Sequence, residues 1–330
     1  MIGYYIHHQG RGHYFRAATI AAATEIPITA LSSTPPLGET PFADYVLLDR
    51  DDDPSYDDPS AGGDLHWAPA HSPGLRARMA TIARWIDDAR PDALVVDVSV
   101  EVALFARLMG VPVIVVAMPG NRGDRAHQAA YRVADRIIAA WPPHLYSPSW
   151  LAPHLHKTEF VGGISRFTGR TVTDGTTGHG QPRVLVLGGV GGSTVTADHV
   201  SECAHRHRDY EWTVLGLPGS RWSNDPWPEL ISSDVVVAHA GQGAVADIAA
   251  ARRAAVVIPQ PRPYDEQATT ARVLAENRFA VALDGWPAPD AWTPILDQAR
   301  ARGGGHWAAW GTDCAARRAA SVLHQVQERG

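Results

Sequence analysis

The sequence predicts an α/β protein made of two doubly wound parallel-sheet domains, on three observations. Runs of aliphatic residues recur, and each is followed by a segment of helical period. Glycine-rich turns stand at the ends of several of those runs. A polar, aperiodic stretch divides the chain near its middle. Strand, helix, strand alternation with wholly apolar strands is the pattern of a parallel sheet covered on both faces. A chain of 330 residues also exceeds one ordinary core and fits two.

The elements follow in order. Met1–Ile6 reads as a buried strand, and after a polar turn "RAATIAAATE" reads as an alanine-rich helix. A second strand is expected in "IPITALSS". Asp49–Asp64 is acidic, rich in proline and glycine, and reads as a solvated loop. The segment "GLRARMATIARWIDDAR" carries Leu75, Met79, Ile82 and Ile86 at helical spacing. "DALVVDVS", "VEVALFARLMG" and "VPVIVVAM" then form a strand, helix, strand unit. Arg170–Arg183 lacks periodicity and reads as a linker. Alternation resumes with "VLVLGG" and continues through "EWTVLGL", "DVVVAHAG", "AVADIAAARRA", "AAVVIPQP" and "ATTARVLAEN". About Trp307–Gln327 is helical in pattern. The expected organisation is a domain over 1–166, a linker over 167–182 and a second domain over 183–306. A helix over 307–330 then returns to pack on the first domain.

Composition bounds the function. Hydrophobic residues make up 45% and charged residues 19%, with a net charge of −6, as in a soluble globular protein with no basic face for nucleic acid. The pI is near 6.2. Cys203 and Cys314 match no metal spacing and read as reduced thiols. No apolar run approaches the ~20 residues that span a bilayer, and no signal peptide is visible. The expectation is a cytoplasmic protein, with peripheral contact at the inner face of the membrane left open.

In open parallel sheets ligands bind beyond the carboxyl ends of strands, so the loops there are where chemistry is expected. The first holds Gly10, Arg11, Gly12 and His13. Glycine allows close approach of a ligand, His13 stands at a helix mouth facing the cleft, and imidazole is the side chain whose ordinary range suits a base working near neutrality. A helix-capping or surface histidine is the plainer alternative. His7 and His8 end the strand, and Arg11 and Arg16 are candidates for cleft charge. The second loop, Gly188 to Thr194, offers backbone N–H groups and hydroxyls to phosphate oxygens. It lacks both the lysine of a P-loop and the acidic partner of a dinucleotide site. The third, Ala238–Asp247, opens a helix at Gly241 and Gly243 with His239 at the strand end. Asp247, a turn further in, suits ribose hydroxyls. The fourth, Pro259–Gln267, clusters Asp265, Glu266 and Gln267, which suit sugar hydroxyls or cap a helix.

Taken in this order, Gly10 to His13, Gly188 to Thr194, His239 to Gly243, Asp247 and Glu266 with Gln267 resemble the nucleotide-sugar glycosyltransferases of the GT-B fold. The group in question includes the family 28 and family 1 enzymes, and the resemblance extends to "FVGGISR" (Phe160–Arg166). It implies an N-terminal acceptor domain and a C-terminal donor domain. It also implies inverting transfer from a nucleoside diphosphate sugar, UDP by family habit, to an acceptor hydroxyl. Neither a metal nor another cofactor is implied; the nucleotide sugar is a co-substrate. Residues implied at the donor diphosphate are Gly12, Gly189, Gly191, Ser193, Thr194, His239, Gly241, Gln242, Gly243 and Ala244. Asp247 is implied at the ribose, and Asp265, Glu266 and Gln267 at the donor sugar. Two departures stand out: Asp247 replaces the usual Glu, and Ala244 a usual Thr.

Within that resemblance His13 is the expected base. Asp97, at the end of "ALVVD", is expected to hold its other nitrogen, or else to cap the next helix. Asp97→Asn is expected to lower turnover and leave folding intact. Trp222 is expected to stack on the nucleobase or simply to pack. Arg122, Arg125 and His127 are expected to face an acceptor, anionic or lipid-linked, or to form a solvated loop. The opening Gly10-Arg11-Gly12-His13-Tyr14-Phe15-Arg16 equally fits a nucleotide-sugar hydrolase. An epimerase and a non-catalytic nucleotide-sugar binder are further alternatives.

Overall fold

The computed structural model describes residues 1–52, 56, 58–172 and 180–328. Parts of the acidic loop Asp49–Asp64 and the centre of the expected linker lie outside them.

The first domain runs β1 (Ile2–Ile6), α1 (Gly12–Ala21), β2 (Ile28–Ser32), β3 (Asp44–Leu47), α2 (Pro73–Ala89) and β4 (Ala93–Asp97). It continues with α3 (Val100–Leu108), β5 (Val113–Ala117), α4 (Arg125–Val133), β6 (Arg136–Ala139) and β7 (Thr158–Phe160). Its strands form one parallel sheet in the order β3-β2-β1-β4-β5-β6-β7. Residues of β1, β2, β4 and β5 are buried throughout, which is why these strands read as unbroken apolar runs. Helix starts are fixed by side-chain caps. Ser72 and Ser99 accept from Leu75 N and Val102 N at 3.2 Å each, and Asp124 accepts from His127 N at 3.1 Å.

The second domain holds β8 (Arg183–Leu187), α5 (Ala197–Arg206), β9 (Glu211–Leu215), α6 (Trp227–Ser232) and β10 (Val235–Ala238). Then come α7 (Gln242–Ala251), β11 (Ala254–Val257), α8 (Glu266–Glu276), β12 (Val281–Ala282) and α9 (Trp292–Arg302). The sheet order is β12-β11-β10-β8-β9, again parallel. The last helix, α10 (Ala315–Gln327), leaves this domain. Its Ala319, Val322, Leu323 and Val326 join Ile20, Ile28 and Val95 in a core cluster of the first domain.

Four elements differ from the sequence reading. Helix α1 starts at Gly12, so His13 and Arg16 lie on its first turns. Helix α5 starts only at Ala197 under a Thr196 capping box, so Ser193 and Thr194 do not open it. The C-terminal helical pattern is two pieces, a 3-10 turn at Gly305–Trp310 and α10, separated at Gly311 with φ +71°. Phe167, at the start of the expected linker, is buried with Trp227 in the second domain's core.

Candidate active site

Strand order reverses direction between β1 and β4 in one sheet and between β8 and β10 in the other. Crevices at such switch points are where open parallel sheets bind ligands. The loops leaving these four strands line one interdomain cavity of about 990 Å³. The two domains meet through their glycines. A Cβ on Gly243 would come within 3.9 Å of Gly12 Cα, and one on Gly10 within 4.0 Å of Gly191 Cα. The start of α7 and the loop after β8 thus sit against the start of α1.

At the floor of the cavity His13 is half-buried, and its Nδ1 lies 2.9 Å from Asp97 Oδ1. Asp97 is fully buried and also accepts from Arg16 Nε at 2.9 Å and Arg16 Nη2 at 2.7 Å. Arg16 is brought there because α1 places positions three apart on one face. Its Nη1 reaches across to Gln242 Oε1 at 2.8 Å, tying the two domains together at the site. Burial works to raise the Asp97 carboxyl, but the adjacent Arg16 and His13 outweigh it and hold the group well below the usual carboxylate range. Arg16 Nη2 also lies 2.9 Å from His13 Nδ1; in the tautomer that donates Nδ1–H to the carboxylate, Nε2 carries the free lone pair. It makes no hydrogen bond among the described residues. Val98, the residue after Asp97, has φ +87° and lines the cavity, a strained setting for a β-branched side chain.

The bidentate ion pair corrects the expectation that Asp97→Asn would leave folding intact. Removing one member of a buried pair strands the other, at roughly 3–5 kcal/mol. That substitution therefore mixes chemistry with stability.

On the second domain, Gly189, Gly191, His239, Gly241, Gln242, Gly243, Ala244, Asp247, Glu266 and Gln267 line the cavity, as does Gly12 opposite them. His239 Nδ1 bonds Ile258 O at 3.0 Å, and its Nε2 bonds Ser193 Oγ at 2.9 Å. Burial lowers its pKa, so the ring is neutral at pH 7 and serves as a strut. Asp247 is buried and accepts from Ser165 Oγ at 2.7 Å and Arg166 Nε at 3.3 Å. Burial pushes its pKa up to about 6 against the pull of Arg166. Gln267 Oε1 accepts from Gln260 N at 2.9 Å. Trp222 lines the cavity with the Arg11 guanidinium 4.6 Å above its ring, so one face is already covered by a cation from the other domain.

Several expected site residues lie elsewhere. Ser193 and Thr194 do not line the cavity. Ser193 is taken by His239 and Val195 O, and Thr194 N and Oγ1 by Gln260 Oε1, so both brace the glycine loop from behind. Asp265 is exposed and outside the cavity, because φ +61° at Tyr264 and +56° at Asp265 turn the chain away before α8. Arg125 is 80% exposed and pairs with Asp64. His127 is buried between Asp124 and Arg122, with Nε2 3.1 Å from Arg122 Nη1. Burial lowers its pKa to about 4, so it is neutral. Arg122 alone of the three lines the cavity. It is buried, lies 4.8 Å from the Tyr264 ring centre and pairs with Glu266 at 3.5 Å, which makes it an interdomain contact.

The sequence reading missed Arg166 and Arg262 as cavity residues. Arg262 donates to Gly191 O at 2.5 Å and Gly192 O at 3.2 Å, clasping the glycine loop. Arg166 lies 4.1 Å from the centre of the Phe15 ring. Each sits in a segment that sequence reasoning had already singled out, which was the available signal.

The profile of the glycosyltransferase family 28 C-terminal domain matches residues 224–285. A UDP-N-acetylglucosamine--N-acetylmuramyl-(pentapeptide) pyrophosphoryl-undecaprenol N-acetylglucosamine transferase of Rubrobacter xylanophilus is 27% identical over 262 residues, covering 68% of this chain and 76% of that protein. The structure of Acinetobacter baumannii MurG is similar with a TM-score of 0.63 at 14% identity, covering 98% of this chain and 99% of that one. A UDP-glucosyltransferase from Polygonum tinctorium gives a TM-score of 0.68 at 12% identity, covering 99% and 98%. At such identities the structural likeness establishes the fold, and the sequence matches carry the activity. Two parallel-sheet domains closing on one cavity, together with those matches, make the chain a glycosyltransferase of the GT-B fold.

Proposed function

We propose that the protein is an inverting, metal-independent glycosyltransferase that moves a sugar from a nucleoside diphosphate sugar, UDP-linked by resemblance, to an acceptor hydroxyl. The first domain holds the acceptor and the second the donor. The observation that carries this reading is His13 Nδ1 at 2.9 Å from Asp97 Oδ1 in a residue that lines the interdomain cavity. His13 Nε2 takes the hydroxyl proton as the acceptor oxygen bonds to the anomeric carbon. The bond from that carbon to the diphosphate breaks, and the diphosphate leaves with the electron pair. The free N–H groups opening α7 and the Arg262 guanidinium are the support for a leaving group stabilised without a metal. In this reading Asp247 meets the ribose, Glu266 and Gln267 the sugar, and Trp222 the base, roles that the resemblance implies and that their presence in the cavity wall supports. Unpaired Cys203 and Cys314 fit a reducing, cytoplasmic setting. No helix among the described residues is long and apolar enough to cross a membrane, so any membrane association in this reading is peripheral.

The test is turnover of UDP-glucose and UDP-N-acetylglucosamine with aromatic and aliphatic alcohols, reading diphosphate release and glycoside mass together. His13→Ala should lower transfer by about 10²–10⁴-fold while UDP still binds by calorimetry. EDTA should leave the rate unchanged. Wild-type turnover in His13→Ala removes the base assignment, and EDTA inhibition reversed by magnesium removes metal independence.

A further inference from the structure

The part of the cavity belonging to the first domain is larger than the His13 pocket and has its own chemistry. It extends past His7 and His8 to Trp67, Leu75, Met79 and Val102. These are apolar walls carried by α2, α3 and the segment before α2. The His8 side chain is only 5% exposed, and neither of its ring nitrogens has a hydrogen-bond partner among the described residues. Asp52 Oδ2 lies 3.6 Å from its Nε2, beyond hydrogen-bond distance. The ring is held by stacking on His7, with centroids 4.8 Å apart at 12°, and His7 in turn meets the His13 ring edge-on at 5.8 Å. Burial and the nearby Arg78 lower the His8 pKa, so at pH 7 it offers one N–H donor and one bare nitrogen acceptor. A buried polar ring with both sites unfilled costs free energy that a bound partner recovers.

Charge in this half is one-sided. Asp51, Asp52 and Glu101 line it. Its buried cations are all committed: Arg78 to Asp51 at 2.8 Å, Tyr5 Oη at 2.7 Å, Ser33 Oγ at 2.7 Å and Asp49 O at 2.9 Å, Arg122 to Glu266 at 3.5 Å, and Arg16 to Asp97 at 2.7 Å. Of the three residues that had pointed to an anion, Arg125 and His127 lie outside the cavity, and Arg122 lines it but is already paired with Glu266. A phosphate or carboxylate entering here would face these carboxylates, and the buried cations around it are already paired.

We infer that this half is a chamber for an uncharged, largely apolar acceptor carrying a second hydrogen-bonding group besides the hydroxyl that reacts, and that His8 receives this group. The inference rests on the glycosyltransferase reading for the identity of the acceptor side. It differs from the pyrophosphoryl-undecaprenol acceptor named for the Rubrobacter relative.

Calorimetry on the full chain with three probes of one size tests it: naphthalene-2,6-diol, 2-naphthol and 6-hydroxy-2-naphthoate. The diol should bind about tenfold more tightly than the naphthol, the worth of one neutral hydrogen-bond group, and at least tenfold more tightly than the naphthoate. His8→Phe keeps the stacking on His7 and should erase the difference between diol and naphthol. UDP is titrated into both proteins as a separate readout of the donor side. If UDP binds and the probes do not, only the acceptor inference falls; if the probes bind and UDP does not, the nucleotide-sugar reading falls. Naphthoate binding as tight as the diol, a diol preference that survives in His8→Phe, or no saturable binding of any probe overturns the inference.

Discussion

In the proposed donor site, Asp247 would couple donor binding to proton binding. Its pKa is raised from 3.8 in a free carboxyl to about 6 in the folded chain. Between those values the native state holds more protons than the unfolded chain, so this residue's contribution to stability falls as pH rises through the window. Ribose hydroxyls donate to the charged form. Affinity for UDP should therefore weaken by up to about tenfold per unit below pH 6 and stay level above it. Asp247→Asn should bind more weakly and lose the step. Calorimetric affinity that is flat from pH 5 to 8 removes Asp247 from the ribose site. The sequence brought single residues to the cavity where a motif fixes them, as with His13, Gln242 and Asp247. They were misread where only residue type spoke. Arg125 and His127 looked alike in sequence, yet one is solvated and the other is locked beside an Asp124 cap.

At the scale of elements, the strands and their order of appearance were readable because buried parallel strands tolerate little but aliphatic side chains. The short strands β3, β6, β7 and β12 were not: β3 and β7 are half-exposed edges that break the pattern, and β6 and β12 span only four and two residues. Neither was the contact between the loop after β5 and the loop before α8, where Asn121 N donates to Tyr264 O at 2.7 Å. Gly120 makes that contact possible. Its φ is +106°, and a Cβ there would lie 2.2 Å from Tyr264 O. Gly120→Ala should cost roughly 1–3 kcal/mol by denaturant melts, through backbone strain and the lost interdomain contact. Gly305→Ala, with nothing within 4 Å of its Cβ, should stay within about 0.5 kcal/mol. Equal midpoints for the two variants would show that the loops do not bear on each other.

For the whole molecule, α10 is the element that fastens the second domain's end to the first domain's core. Leu323 is fully buried there, so Leu323→Ala should lower stability by about 2–5 kcal/mol in urea unfolding. An unchanged midpoint would mean the helix is not part of that core. The sequence by itself determined the two parallel sheets, the glycine turns at their switch points and the candidate base. These follow from local rules: strand burial sets residue type, and close backbone approach requires glycine. Tertiary structure alone decided that Arg16 shares Asp97 with His13, that Arg262 clasps the glycine loop, and that His8 is buried in an acidic, apolar chamber with no hydrogen bond to its ring among the described residues. The reason is physical. Such pairings join groups from distant parts of the chain, or leave one without a partner, and nothing in local periodicity records which buried polar atoms will meet once the sheets close on the cleft.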